Sequence, residues 1–286
     1  MVNFATLNLA SWRAGEFPLA GQIEEGSRVE RYGAMKLLIL SDVHGNWPAL
    51  RAVLDAEPER DAILFLGDLV DYGAHPVDCV TWAMNLGPGN WIVQGNHDFA
   101  LARRADPHCS MAYSLLARST QRVTEPLMGA EMKEFLGALP AILSLELDGA
   151  KCVACHATPK DPLHHYLSEG SSLNVWESEL EAARHPHFLF VGHTHVPMKS
   201  RIRKTLVLNP GSVGQPRDGD PRAAYAVWHD GQVFLRRSAY DLEKTMQAYG
   251  KLPLEPAVTR ALCEVLRSGG NLPAEPAWNG LQRALR

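Results

Sequence analysis

Several features that would assign a chain to a familiar class are missing from this sequence. No apolar run reaches the roughly 18 residues that a membrane-spanning helix needs, and the first residues contain no basic segment followed by a continuous apolar one. Cysteine is scarce, with five scattered residues among 286, which favours a reducing compartment over a disulfide framework. We therefore expect a cytoplasmic protein without a membrane partner.

Basic charge is also not in excess. Lysine and arginine number 28 against 32 aspartates and glutamates, for a net charge of -4. A broad basic face is therefore not expected, which argues against duplex nucleic acid as a partner and favours a small substrate. The motifs C-x5-R, G-x-S-x-G and the P-loop do not occur, which excludes the cysteine-phosphatase, serine-hydrolase and P-loop nucleotidase classes. The sequence leaves a homo-oligomer open.

The domain organisation follows from where regular patterning begins. Residues 1–34 show no clean periodicity, and we interpret them as an N-terminal extension that reflects an upstream start or forms a peripheral element. Residues 35–286 are predicted to form a single domain, because 46% apolar content supplies a substantial core. Within it, helical spacing over about 99–139 predicts a helical insertion, and helices broken by prolines are predicted over about 241–286.

Short apolar runs alternate with amphipathic segments from Met35 onward. This alternation predicts strands buried on both faces with helices packed outside them, which is an α/β sandwich or layered sheet. Helices are predicted at 48–57, 76–86 and 173–184. The predicted strands are 37–40, 62–66, 91–94, 141–147, 152–155, 188–191, 205–208, 223–228 and 232–240.

Five of the predicted strands run directly into histidine, aspartate or asparagine. Because ligands of open α/β sheets bind beyond the carboxyl ends of the strands, these side chains are expected to meet at one edge. The seven candidate ligands comprise two carboxylates, one amide and four imidazoles, a mixture suited to Mn²⁺, Fe, Co, Ni or Zn²⁺. Seven ligands are too many for one ion and fit two ions that share a bridge. The candidates are Asp42, His44, Asp68, Asn96, His156, His193 and His195.

The segments that carry these residues read SDVHGN, GDLVDYG, GNHD, a single His156 and GHTH. In order and approximate spacing they resemble the five signatures of the calcineurin-like metallophosphoesterase superfamily over roughly residues 35–240. The stretch NPGSVGQPRDGDPRAAYAV at 209–227 further resembles the small bacterial and archaeal class III branch. The resemblance implies a four-layer β-sandwich flanked by helices, with the helical insertion over the active site.

The resemblance also implies roles for individual residues. His97 is similar to the superfamily's histidine that protonates the leaving group, and the resemblance implies that Asp98 orients its ring. Asp68 is expected to bridge two divalent transition-metal ions, with manganese first and Fe, Ni, Co or Zn as alternatives. The implied ligands are Asp42, His44, Asp68 and His195 for one ion, and Asp68, Asn96, His156 and His193 for the other.

The implied activity is hydrolysis of a phosphate ester by a hydroxide that bridges the two metals. Tyr72 stands where phosphoprotein phosphatases of the superfamily carry a phosphate-binding arginine, so phosphodiesters or small nucleotide-like esters are favoured. A phosphomonoesterase or phosphoprotein phosphatase is the alternative, and an inactive binding scaffold is a further one. Asp71, His75, Arg217 and Asp218 have open roles at this stage.

Overall fold

The computed structural model describes residues 35–273 of the chain. The predicted extension at 1–34 lies outside the described residues, as does the end of the predicted C-terminal helical region beyond residue 273. The described part contains ten strands and eight α-helices.

The strands and helices are numbered in chain order. The strands are β1 (Leu37–Leu40), β2 (Ala62–Phe65), β3 (Trp91–Ile92), β4 (Ile142–Leu147), β5 (Ala150–Cys155), β6 (Phe188–Phe190), β7 (Met198–Ile202), β8 (Thr205–Asn209), β9 (Ala223–His229) and β10 (Gln232–Ser238). The helices are α1 (Trp47–Ala56), α2 (Pro76–Met84), α3 (Asn96–Arg103), α4 (Met111–Thr124), α5 (Ala130–Ala138), α6 (Leu173–Ala182), α7 (Leu242–Tyr249) and α8 (Pro256–Ser268), with a 3₁₀ turn at Glu125–Leu127.

Two five-stranded mixed sheets form the centre of the fold. The first has the order β10-β9-β1-β2-β3 and the second the order β4-β5-β6-β8-β7. Strands β1, β2 and β3 are parallel to one another, as are β5, β6 and β8. Antiparallel strands complete each sheet at its edges. The carboxyl ends of the parallel strands therefore lie along one edge of each sheet.

Strand β1 shows how the layers are built. Successive side chains of a strand point to opposite faces, and all four residues of β1 are buried. Leu37 and Ile39 pack in the core that joins the two sheets, which includes Phe190 of the second sheet. Leu38 and Leu40 pack on the other face in the core shared with α1. Helix α6 covers the outer face of the second sheet, and the predicted four-layer α/β fold is confirmed.

A third apolar cluster joins α4, α7 and α8, and Tyr72 belongs to it. No helix within residues 35–273 combines the length and apolarity needed to cross a bilayer.

Two elements differ from the sequence prediction. Strand β7 was not predicted, because Lys199 and Arg201 interrupt its apolar character at an edge of the sheet. The candidate site residues Asn96, His97 and Asp98 lie in the first turn of α3, whereas the sequence predicted a longer β3 directly before them.

Candidate metal centre

The seven predicted ligands lie together at the carboxyl ends of β1, β2, β3, β5 and β6. The side chains come from both sheets, and each residue is no more than 3% exposed. Three overlapping groups of His and Asp side chains, drawn from these ligands and His97, could each hold a metal ion, and the ligand atoms of each group lie within 4.8 Å of one another. The groups are Asp42, His44 and His195; His44, Asp68 and His97; and Asp42, Asp68 and His156.

One half of the centre surrounds the end of β1. His44 Nε2 lies 3.2 Å from His195 Nε2, and Asp42 Oδ1 lies 3.3 Å from His195 Nε2. Asp68 Oδ2 lies 3.6 Å from His44 Nε2. Ligand atoms held about 2.1 Å from a common ion lie about 3.0–3.4 Å apart, so the two separations at His195 match a shared coordination sphere, and the Asp68–His44 separation is slightly longer. Asp42 Oδ1 is buried and accepts no hydrogen bond.

The other half surrounds the ends of β3, β5 and β6. His156 Nε2 lies 2.9 Å from Asn96 Oδ1 and 3.2 Å from His193 Nδ1. The same nitrogen lies 3.2 Å from Asp68 Oδ2. The Asn96 amide nitrogen donates to the carbonyl of Pro107 at 2.7 Å, which turns its oxygen toward the cluster. One oxygen of Asp68 therefore lies near both halves of the centre.

The four histidines of these two clusters are held by backbone carbonyls. A carbonyl oxygen only accepts hydrogen bonds, so the ring nitrogen facing it carries the proton and the other nitrogen presents a lone pair. Metal-ligating histidines are oriented in this way. The pairs are His44 Nδ1 with Val70 O at 2.8 Å, His156 Nδ1 with Leu66 O at 2.7 Å, His193 Nε2 with His164 O at 3.3 Å and His195 Nδ1 with Gln215 O at 2.6 Å.

The backbone around the centre is unusually rich in left-handed conformations. Non-glycine residues pay about 1–3 kcal/mol for an unfavoured backbone region, and such residues concentrate at functional sites. Gly95 is required for a different reason, because a Cβ there would lie 2.0 Å from Asp68 Oδ1. The backbone therefore brings the ligands together at a cost in stability. The residues with positive φ are Asp42, His44, Asp68, Asp71, Tyr72, His193 and His195.

Burial sets the protonation of most groups at the centre. Burial raises the pKa of Asp42 to about 6, and the Asp68 carboxylate acts in the same direction. Burial lowers the pKa of His44 to about 3 and holds the pKa values of His193 and His195 well below their usual range. The last three imidazoles are therefore neutral at physiological pH, which is the form that binds metal ions.

Asp68 and His156 are the exception, because each stabilises the charge of the other. Burial lowers the pKa of His156, but the Asp68 carboxylate outweighs this effect and the pKa is raised to about 9. Burial raises the pKa of Asp68, but His156, His97 and His44 together hold it well below its usual range. A proton or a metal ion can supply the positive charge that Asp68 attracts, so metal binding here would release protons.

His97 belongs to the group with His44 and Asp68, and its ring pairs with Asp71. His97 Nδ1 lies 2.7 Å from Asp71 Oδ2. Burial lowers the pKa of His97, but Asp68 and Asp71 outweigh it and hold the pKa well above its usual range. A protonated imidazole with Nδ1 bound to Asp71 has Nε2 as its remaining donor.

The predicted pairing of Asp98 with the His97 ring is wrong. The Asp98 carboxylate accepts backbone N–H groups of Asp68 at 2.8 Å, Leu69 at 2.9 Å and Gly95 at 3.1 Å. Consecutive residues of a helix point in different directions, so Asp98 in the first turn of α3 faces the backbone rather than its neighbour. Asp98 therefore holds the loop that carries Asp68.

Sequence reasoning left Arg217, Asp218 and His75 open, and the structure separates them. Asp218 pairs with Arg237. The Arg217 guanidinium carbon lies 3.8 Å from the centre of the Tyr113 ring and 5.8 Å from that of Tyr72, so an arginine stands near the position where Tyr72 replaces one. His75 instead occupies the N-cap position of α2 without a capping hydrogen bond from its side chain, and Asp78 and two lysines are its charged neighbours. The structure does not bring His75 into the clusters.

The donor set fits divalent transition-metal ions. It combines imidazole nitrogens with carboxylate and amide oxygens, and it offers no thiolate. The carbonyl-bound rings and the free oxygen of Asp42 are oriented as such ions require. The His and Asp clusters at this edge can therefore hold divalent metal ions.

This geometry agrees with the comparison to protein families. Residues 35–230 match the model of the calcineurin-like phosphoesterase superfamily domain, and the chain belongs to that superfamily, as the sequence signatures predict. Together with the clusters, this membership defines a metal-dependent phosphoesterase.

Individual relatives sharpen this placement. An uncharacterized protein of Methanocaldococcus jannaschii is 32% identical over 236 residues, which span 76% of this chain and 91% of the relative. A crystal structure of a metallophosphoesterase from Sphaerobacter thermophilus matches with a TM-score of 0.69 and 32% identity over 83% of this chain and 100% of the other. A protein named symmetrical bis(5'-nucleosyl)-tetraphosphatase, from Yersinia enterocolitica, is 30% identical over 129 residues, or 43% of this chain and 41% of that protein.

Proposed function

We propose that this chain hydrolyses phosphodiesters or small nucleotide-like phosphate esters with two divalent transition-metal ions. The observation that carries the proposal is the position of Asp68, whose Oδ2 lies 3.6 Å from His44 Nε2 and 3.2 Å from His156 Nε2. One carboxylate oxygen can therefore serve both halves of the centre. Manganese is the first candidate, and Fe, Ni, Co and Zn are alternatives for the same mixed donor set.

The proposed ligands divide between the two halves of the centre. Two ions held by these residues would polarise a phosphoryl group and would lower the pKa of water enough for attack near neutral pH. The backbone carbonyls hold the imidazole rings in the orientation that binding needs. The proposed sets are Asp42, His44, Asp68 and His195 for one ion, and Asp68, Asn96, His156 and His193 for the other.

His97 is the proposed proton donor to the leaving alkoxide. Its Nδ1 is bound to Asp71 Oδ2 at 2.7 Å, so Nε2 is the nitrogen that can deliver a proton. Asp71 favours the charged ring and fixes its orientation. Asp98 is proposed to position Asp68, because its carboxylate accepts three backbone hydrogen bonds that hold the Asp68 loop.

One relative favours a nucleotide-like ester as the substrate, and the contact between Arg217 and Tyr72 favours a monoester. The bis(5'-nucleosyl)-tetraphosphatase from Yersinia enterocolitica acts, by its name, on a nucleotide-like substrate, which favours such an ester here. Phosphomonoesters are the second candidate, because Arg217 lies near Tyr72 and can supply the positive charge that an arginine at the position of Tyr72 would carry.

Activity is proposed in preference to a scaffolding role because the site is intact. All seven predicted ligands lie in the two halves of the centre, and the predicted proton donor has a carboxylate partner. The five cysteines are free, which supports the proposal of a cytoplasmic protein. A small phosphate ester is the proposed partner, while a homo-oligomer stays open.

Metal analysis combined with paired substrates tests this proposal. Protein purified without chelator and loaded with Mn²⁺ should contain about two equivalents of metal and should hydrolyse an aryl phosphodiester. Chelation should abolish that activity, and Mn²⁺ should restore it. A kcat/KM higher for the matched aryl monoester would favour the second candidate. Binding of at most one ion at a site without Asp68 would contradict the two-metal proposal.

A further inference from the structure

Arg217 is a partly buried cation near the candidate metal centre, and its guanidinium has no acidic partner. Within residues 35–273 no ion pair joins its guanidinium to a carboxylate. Its Nη2 donates to Gln215 Oε1 at 2.7 Å, while Nε is buried and has no hydrogen-bond partner. A donor that is shielded from water and left without a hydrogen bond is costly, so the unpaired Nε fits an arginine whose anionic partner arrives from outside the protein.

The guanidinium lies close to the proposed reacting groups. The backbone N–H of Arg217 donates to the carbonyl of His195 at 3.2 Å, and the carbonyl of Gln215 accepts from the His195 ring. The positive charge of Arg217 lowers the pKa values of Asp42, His44 and His195. The cation is therefore beside the half of the centre that surrounds the end of β1.

Two separate parts of the fold hold Arg217 in place. Tyr113 of α4 places its ring 3.8 Å from the guanidinium carbon, a stacking contact that orients a planar cation. The turn after α8 approaches from another side, where Gly269 O accepts from Gly219 N at 2.9 Å. A Cβ on Gly270 would lie 2.5 Å from the Cα of Arg217, so only glycine permits this approach. The Tyr113 hydroxyl also donates to the Gly270 carbonyl.

We propose that Arg217 binds the anionic phosphoryl oxygens of the substrate and selects for the number of negative charges on phosphorus. This role rests on the proposed phosphoesterase function and adds a recognition residue to it. The planar guanidinium forms paired, charge-assisted hydrogen bonds with phosphate oxygens. A dianionic monoester should gain more from it than a monoanionic diester. Arg217 therefore supplies the positive charge that is missing at Tyr72.

Inorganic phosphate provides a test that does not require turnover. Titration calorimetry would measure phosphate binding to the Mn²⁺-loaded protein and to Arg217→Gln, with metal content determined in parallel. We expect Arg217→Gln to bind phosphate about 10- to 100-fold more weakly with its metals retained. Arg222→Gln is the matched control, because it removes an exposed arginine of the same loop that pairs with Asp220, and it should bind phosphate as the parent does.

Kinetics and a second pair of variants complete the test. For Arg217→Gln, kcat/KM should fall several-fold more for an aryl monoester than for the matched diester. If Arg217→Gln does not fold, Tyr113→Leu removes the stacking platform while Tyr113→Phe keeps the ring. Only Tyr113→Leu should then weaken phosphate binding.

The outcomes separate this proposal from the proposed function. Equal phosphate affinity in the parent and Arg217→Gln, with both folded and metal-loaded, would show that Arg217 only supports its loop. Weaker phosphate binding in Arg217→Gln, without hydrolysis of either ester by the parent, would keep the anion site and overturn the proposed activity. Equal losses of kcat/KM on both esters would overturn the selection by charge.

Discussion

Buried charged groups lie at both ends of β1, and they are satisfied in opposite ways. At its amino end, Glu57 Oε2 pairs with Lys36 Nζ at 2.9 Å. Glu57 Oε1 accepts hydrogen bonds from Arg236 and Tyr225. At its carboxyl end, Asp42 Oδ1 and Arg217 Nε are buried without hydrogen-bond partners. The amino end is closed by the protein itself, while the carboxyl end keeps capacity for groups that the chain does not contain.

The backbone differs in the same sense. The carboxyl end contains seven non-glycine residues with positive φ, five of them proposed ligands, whereas at the other end positive φ falls on turn residues such as Asp230. Unfavoured backbone and unpaired polar groups lower stability, so the carboxyl end sacrifices stability for binding capacity. The difference predicts that substitutions at the carboxyl end affect activity and those at the amino end affect folding.

Asp68→Asn should give the largest effect. If Asp68 serves both ions, its loss weakens both sites, and kcat/KM should fall on the order of 10⁴-fold or more, because bound ions provide several kcal/mol of transition-state stabilisation. Steady-state kinetics with an aryl diester and elemental analysis measure the two effects. Retention of activity within a few-fold, together with abolition by His44→Ala, would show that Asp68 does not bridge.

His97→Ala should follow, with a loss of about 10²–10⁴-fold on alkyl or nucleoside esters and a much smaller loss on p-nitrophenyl esters, whose leaving group needs little protonation. Metal content should stay unchanged. Asp71→Asn should show the same dependence on the leaving group, whereas Asp98→Asn should not. A metal ion lost from His97→Ala would identify His97 as a ligand, and equal losses on both esters would remove its role as proton donor.

Metal binding should raise the free energy of unfolding, and this gain should depend on the ligands at the carboxyl end of β1 and not on the groups at its amino end. A ligand at 100 times its Kd adds about 2.7 kcal/mol to the free energy of unfolding, which corresponds to a rise in Tm of roughly 5–10 °C for a domain of this size. Thermal unfolding with Mn²⁺ and with chelator measures this rise. Asp68→Asn should lose most of it and Glu57→Gln should keep it. An undiminished rise in Asp68→Asn would place the stabilising ion elsewhere.

Glu57→Gln should give the smallest of these effects and the opposite profile. Loss of its charge-assisted hydrogen bonds should lower the free energy of unfolding by about 1–3 kcal/mol, as measured by urea denaturation, while kcat/KM stays within two-fold of the parent. Arg51→Gln is a suitable control, because its partner Asp55 is exposed and such pairs contribute about 0–1 kcal/mol. A large loss of activity in Glu57→Gln would break the division between the two ends.

The amino-acid sequence predicts the fold and the composition of the centre well, because both depend on local patterns. Apolar runs such as 37–40 mark strands buried on both faces, and the parallel strands then bring their carboxyl ends to one edge. Strand β7 escapes detection because an edge strand needs no apolar pattern on its exposed face. Element positions therefore follow from the sequence wherever burial dictates the residue type.

Contacts between distant segments could not be predicted in the same way. Asp71 and Asp98 are both aspartates near His97 in the signatures, and only the direction of each side chain decides which one reaches the ring. A helix starting at Asn96 would have excluded Asp98, because neighbouring residues of a helix diverge. Arg217 carried no local signal, since its platform Tyr113 lies in α4 and its clamp follows α8.

The turn after α8 lies outside the segment that matches the superfamily, although it packs against the Arg217 loop. The match to the superfamily ends at residue 230, and every proposed metal ligand lies before that point. The turn at Gly269 and Gly270, which abuts the Arg217 loop, lies after it. The proposed ligands and Arg217 all lie within the matched segment, so a substitution at Gly270 should move the Arg217 loop and change the preference for substrate charge without altering any ligand.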